Sequence, residues 1–348
     1  VEPLRLSRSS VADRKISEAA ARLDVTYLQP AELQSYLAAP GVHPMALISF
    51  GVVLPYTLPF PVLTLDLPQI GDLPLVEVWT CDQPVQTQEN TGCSIATNGH
   101  CLIGSLGLVE RPGVSLDLIT YTGYREVLHR IRELGYPYLW RAWNYFPRIN
   151  DEQDGLERYR RFCVGRHQAL TEVLSDFPAS LPAATAVGTG SGPLQIVFLA
   201  GTQPAIHLGN PRQLHAYEYP RDYGPRSPSF ARATFSRSEN EGLFFISGTA
   251  SVVGHASRHA GLPYEQTRET IRNLRAVLNH PEYVTGMEVF GTHPRAMYKV
   301  YVRNSDSLPE IHRALQESPL PRQQALFLQG DLCRRELLVE IEGLLISE

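Results

Sequence analysis

In the last third of the chain, the period of the apolar positions switches repeatedly between two and about 3.6 residues. Ser229–Phe235 and Leu243–Val252 alternate as strands do, with the polar turn Ser236–Gly242 between them. Thr267, Ile271, Leu274 and Leu278 then recur at three- and four-residue spacing, which predicts a helix over Tyr264–Leu278. Ala296–Val302 returns to a strand rich in Tyr and Val. Ser307 and Pro309 mark the cap and first turn of a helix over Leu308–Leu315, and Gln324–Leu345 supplies the last strands. The middle of the chain repeats this order. Ser94–Ala96 and Cys101–Leu108 form a hairpin across Thr97-Asn98-Gly99, and a helix over Leu118–Leu134 is stopped by Gly135. An aromatic strand, Pro137–Phe146, and a longer helix, Gly155–Leu174, follow. Ala183–Val187 and Leu194–Ala200 read as a final hairpin across the glycine-rich run Gly188–Gly192. Two stretches of the same order predict a duplicated α+β module, ββαβαβ, each a mixed sheet with helices on one face. Residues 1–205 are then an N-terminal extension plus a degenerate first unit, and residues 206–348 a linker plus the C-terminal unit. Residues 1–75 show no regular period, and the proline-rich segment 202–228 reads as an ordered linker.

The closing strand is the most informative element. Alternation places Glu336, Glu340 and Glu342 on one face and Val339 and Ile341 on the other. Such a face points its carboxylates at water or lines a pocket with them. Cys333 has the opposite parity to Glu340, so only a bulge near Gly330–Arg335 brings the two together. Along the helix over 155–174, Tyr159, Phe162, Cys163 and Arg166 form one mostly apolar stripe. Its arginine either makes a structural ion pair or, with Tyr159, reaches a carboxylate ligand. In strand 229–235, Arg232 shares a face with Phe230, an odd place for a merely solvated charge; Tyr217 and Tyr219 precede it. Gly248 sits in Ser247-Gly-Thr-Ala-Ser251, small residues that allow either tight helix–sheet contact or a ligand against bare backbone. Cys333 by itself reads as a small apolar residue, because no histidine accompanies it.

Composition narrows the function classes. Hydrophobic content of 43% and charge of 19% in 348 residues describe a globular protein with a sizeable core. A net charge of −5 gives no support to a nucleic-acid or anionic-membrane partner, so any anionic ligand has to be held by placed arginines. Five cysteines without a CxxC pair argue against a disulfide framework and fit a reducing cytoplasm. Eleven histidines without HxH or HExxH spacing predict no metal centre. No apolar run has membrane-spanning length, and Val1–Leu6 lacks a leader pattern.

Together these segments resemble the chorismatase family, whose halves are similar to the Rid (chorismate-mutase-like) fold, a trimer-forming module. The resemblance covers about residues 90–345 and is strongest in Trp143–Asn150, Gly155–Arg166, Phe230–Ala233, Ser247–Ser251 and Leu338–Glu342. It implies chorismate as substrate and pyruvate as a product, with no metal or organic cofactor. It implies Glu340 as the acid that protonates the enolpyruvyl methylene, with Tyr159 and Arg166, and Tyr219 and Arg232, as the two carboxylate-binding sets. Gly248 and Cys333 resemble positions of the aromatising branch, which implies 3-hydroxybenzoate, with 4-hydroxybenzoate as an alternative co-product. Rival expectations are a chorismate hydrolase releasing a cyclohexadiene diol, a Rid-type imine deaminase, and a non-catalytic small-molecule sensor. An exposed Glu340 of ordinary acidity would favour the sensor. The chain is expected to act as a monomer or a homo-oligomer, a Rid-like trimer included.

Overall fold

The computed structural model describes residues 22–71, 73–90, 92–238, 241–288, 294–318, 320 and 324–347. Residues 1–21, which include the stretch tested for a leader, lie outside the described residues. Three sheets carry the chain. The middle one contains Gln86–Asn90, Cys93–Thr97, Cys101–Leu108, Tyr138–Pro147, Ala183–Thr189 and Leu194–Gly201. Across that sheet the order is 183–189, 138–147, 194–201, 101–108, 93–97, 86–90. Only the pair 183–189 with 138–147 is parallel. The C-terminal sheet repeats the arrangement strand for strand: Gln324–Gln329, Arg295–Val302, Val339–Ile346, Gly242–Ala250, Ala233–Arg237 and Ile206–Leu208, again with only the first pair parallel. The repeat seen in the sequence is thus a repeat of topology.

Two sequence expectations are corrected here. Ala183–Thr189 and Leu194–Gly201 are not a hairpin; they flank Tyr138–Pro147 on opposite sides, one parallel and one antiparallel. Alternation alone cannot tell a turn between partners from a short crossover past a third strand. Residues 23–81 are also not irregular. Leu23–Leu28, His43–Phe50, Val62–Leu65 and Val76–Cys81 form a third sheet, in the order 62–65, 43–50, 76–81, 23–28, with 43–50 and 62–65 parallel. This matches the first four positions of the other two sheets. The short helix Leu33–Leu37 stands where Leu116–Glu133 stands in the middle unit, and the segment carrying Pro55, Pro59 and Pro61 replaces the second helix. Proline at that density removes the amide donors a helix needs.

Each sheet is packed on both faces, apart from the exposed edge strand Gln86–Asn90. Helices Leu116–Glu133 and Arg158–Val173 cover the outer face of the middle sheet, and Pro263–Leu278 and Leu308–Gln316 cover that of the C-terminal sheet. The inner faces of all three sheets meet in one core that includes Val25, Trp79, Trp143, Phe245, Met297 and Leu344. Helix Arg158–Val173 starts three residues later than expected, because the small hairpin Glu152–Gln153/Leu156–Glu157 takes up the preceding residues. It crosses its partner helix at Gly165, where a Cβ would lie 2.0 Å from the Asp117 carbonyl oxygen. That close approach fixes the helix that carries Tyr159. No described helix is long and apolar enough to cross a membrane.

Candidate active site

The seam between the middle and C-terminal units opens into a cleft of about 380 Å³. Tyr159 and Arg160 enter it from the start of helix Arg158–Val173. Tyr219, Tyr223 and Phe230 come from the linker, and Cys333 to Leu337 from the loop between the last two strands. Its floor is the strand Gly242–Ala250. That strand loses register with the closing strand between Ile246 and Thr249, so Ser247 and Gly248 form a bulge.

Glu340 lies behind that bulge. A Cβ on Gly248 would fall 2.0 Å from Glu340 Oε1, so the carboxyl occupies space that only glycine leaves free. Glu340 is 4% exposed, and its carboxyl forms no hydrogen bond or ion pair with a described residue. Burial, reinforced by the charge of Glu342, pushes its pKa up to about 8. At neutral pH it is a carboxylic acid with a proton to give. Glu342, two residues on and on the same face, has the opposite fate. Burial alone would raise its pKa, but Lys299 and Arg141 hold it below the ordinary value. The Glu342 carboxylate accepts from Trp143 Nε1 at 2.9 Å and pairs with Arg141 at 2.8 Å and Lys299 at 3.1 Å. Lys299 also reaches Glu77 of the N-terminal sheet at 2.9 Å. The ionised Glu342 thus helps to keep its neighbour Glu340 protonated, while its own charge is held by Lys299 and Arg141.

The cleft is rich in unneutralised arginine. Arg232 is 6% exposed and forms no ion pair with a described residue; its Nη2 donates to the Leu214 carbonyl at 2.7 Å and to the Tyr219 hydroxyl at 2.8 Å. Its Nε has no hydrogen-bond partner among the described residues. Arg334 donates to the His255 carbonyl and Ser257 Oγ, both at 2.9 Å, and stacks on Tyr223 with 4.1 Å to the ring centroid. Burial, then neighbouring Cys163 and Cys333, raises the Tyr159 phenol, so it stays a neutral donor. Burial, then Glu340, raises Cys333, which is therefore a thiol and not a thiolate nucleophile.

The expected site residues thus fall in two groups. Tyr159, Tyr219, Arg232, Gly248 and Cys333 line one cleft, with Glu340 directly behind Gly248. Arg166 is buried deeper, between Tyr124 and Phe162, outside the cleft lining, with Nε and Nη2 lacking a hydrogen-bond partner among the described residues. Cys333 reaches the cleft without the bulged strand that parity demanded, because residues 330–338 are a loop between two strands. Glu336 also leaves the face it was expected to share: it is exposed and accepts from Ser257 Oγ at 2.7 Å. The sequence reading overlooked Tyr223 and Arg334, although an aromatic in the linker and an arginine beside Cys333 were visible signals. It also overlooked Arg141, Lys299 and Glu77, which meet only after three sheets have closed on one another.

The chain is also similar to known proteins. Residues 77–200 match the family described as Chorismatase FkbO/Hyg5-like, N-terminal. Similar curated proteins include a 3-hydroxybenzoate synthase of Streptomyces hygroscopicus, 36% identical over 281 residues, 78% of this chain and 82% of that protein. A chorismatase of the same organism is 39% identical over 280 residues, covering 78% and 80%. A crystal structure of a chorismatase superposes with a TM-score of 0.79 at 32% identity, over 94% of this chain and 100% of that one. The chain belongs to the chorismatase family of enzymes, and its two six-stranded units have the Rid-like fold expected of it.

Proposed function

We propose that the protein converts chorismate to 3-hydroxybenzoate and pyruvate, with 4-hydroxybenzoate as a minor alternative product. The observation that carries the reading is a buried, protonated Glu340 against bare backbone, in a cleft where Arg232 and Arg334 pair with no described carboxylate. Chorismate brings two carboxylates, and Arg232, Arg334 and the Tyr219 and Tyr159 hydroxyls are donors suited to them. Glu340 gives its proton to the terminal carbon of the enolpyruvyl ether, which leaves an oxocarbenium ion. Carbon accepts protons slowly, so an acid with a pKa near the working pH serves the step better than an ordinary carboxyl. The neighbouring ring hydroxyl then captures the cation and gives up its proton, forming a cyclic ketal. The original enolpyruvyl C–O bond breaks and leaves its oxygen, protonated, on the ring. The ring bond to the captured oxygen breaks to release pyruvate, and loss of a ring proton makes the product aromatic. The two products together contain every atom of chorismate, so no water is consumed overall. Cys333, a neutral thiol at the cleft wall, and Gly248 are assigned to steering this internal route over capture by water. Reaction in the cytoplasm, without metal or organic cofactor, is part of the same reading. A sensor has no use for a carboxyl whose acidity burial has weakened, which favours the enzyme over the sensor.

Incubation with chorismate, with products resolved by chromatography, tests the reading. Release of hydroxybenzoate and pyruvate in equal amounts is expected. A cyclohexadiene diol would overturn the branch assignment, and unchanged chorismate would overturn the substrate. Glu340→Gln is expected to lose turnover while chorismate still raises its melting temperature; near-wild-type activity would place the acid elsewhere.

A further inference from the structure

Strand Ala183–Thr189 belongs to the middle unit, yet it supports the cleft floor of the C-terminal one. Thr185 is 3% exposed. Its hydroxyl has three neighbours: Arg141 Nη2 at 2.6 Å, the Gly248 N–H at 2.9 Å and Glu342 Oε2 at 2.6 Å. The first two can only donate, so the hydroxyl accepts both and its single proton goes to Glu342. Its capacity is filled and every direction is forced. One residue away, the Ala184 N–H donates to Ser247 Oγ at 2.8 Å, and that hydroxyl donates to the Ala231 carbonyl at 2.6 Å. Both bulge residues are therefore tied to the same strand of the other unit, at the point where the floor leaves its own ladder. Behind that point lies the Glu340 carboxyl.

We propose that Thr185 is a positioning residue, whose hydroxyl holds the Gly248 bulge at the depth where the Glu340 carboxyl fits against bare backbone. The acid is carried by one unit and aimed by the other. Only the kinetic consequence of this inference rests on chorismate being the substrate.

The test uses Thr185→Val, which keeps the side-chain shape and removes the hydroxyl, and Thr185→Ser, which keeps the hydroxyl. In Thr185→Val, kcat on chorismate is expected to fall on the order of 100-fold while KM changes little, the signature of a misaimed acid over lost binding. Its alkaline limb is expected to move to lower pH, because a relaxed bulge lets water reach the carboxyl. Thr185→Ser is expected to restore both. Titration of the Glu340 side chain by NMR in the ligand-free proteins reads the same displacement without turnover. A wild-type protein that leaves chorismate untouched therefore defeats the substrate assignment, and the titration still decides the role of Thr185. An unshifted titration in Thr185→Val, or a Thr185→Ser variant as impaired as Thr185→Val, would overturn the proposal. If Thr185→Val does not fold, a displaced Glu340 titration in Thr185→Ser overturns it and an unchanged one supports it.

Discussion

Glu340 and Glu342 differ by one turn of strand alternation and by the whole of their chemistry. The first is uncharged because burial and the charge of Glu342 raise its pKa, and the second is charged because Lys299 and Arg141 outweigh its burial. If Glu340 gives the proton, kcat/KM is flat through neutrality and declines with rising pH above about 8, where the acid form is lost. Stability follows the same group. The unfolded chain releases this proton near its ordinary value of 4.5, and the folded chain releases it at about 8. Between these values the folded state binds more protons, so its advantage shrinks as pH rises through that window. Glu340→Gln, which cannot ionise, is expected to melt above wild type at pH 9 and close to it at pH 4. Calorimetric scans at the two pH values check this.

Among the elements, the closing strand and the strand Arg295–Val302 bring the third sheet into register with the other two through the Lys299 cluster. Lys299→Met leaves Glu77 and one side of Glu342 buried without a cation, and is expected to cost about 3–5 kcal/mol in urea denaturation. This level also shows what a sequence can and cannot reveal. The repeat was legible because caps, glycine stops and period changes are local. Arg232 does lie near Phe230, with its guanidinium over the Phe230 and Tyr219 rings, but both residues precede the strand, which starts at Ala233 and not at Ser229 as expected. The loop that delivers Cys333 was not legible, because parity assumes one continuous strand. The ion cluster was not, because Glu77, Arg141 and Lys299 lie on three different sheets. The N-terminal sheet was hidden by a missing helix and a proline-rich connection in its place, which erase the period that marks the other two copies.

For the whole molecule, the inner faces of three sheets already fill a single core within one chain. A free Rid-like unit has to find two partners to cover that face; here the face is covered. Sedimentation is expected to show a particle with the mass of one chain, or a higher species joined by outer surfaces, and not a trimer closed through the inner faces. Dissociation on dilution accompanied by exposure of Trp79 and Trp143 would contradict this.

Joining the copies has an evolutionary consequence. In a ring of identical subunits, any substitution appears at every junction at once, so a change that improves one junction has to be tolerated by all. A single chain is released from that constraint. The junction between the middle and C-terminal units carries Tyr159 and Thr185 on one side and Gly248 and Glu340 on the other. The N-terminal copy lacks the second helix of the other two yet still contributes its inner face to the shared core, and the cleft lies at the junction of the middle and C-terminal units.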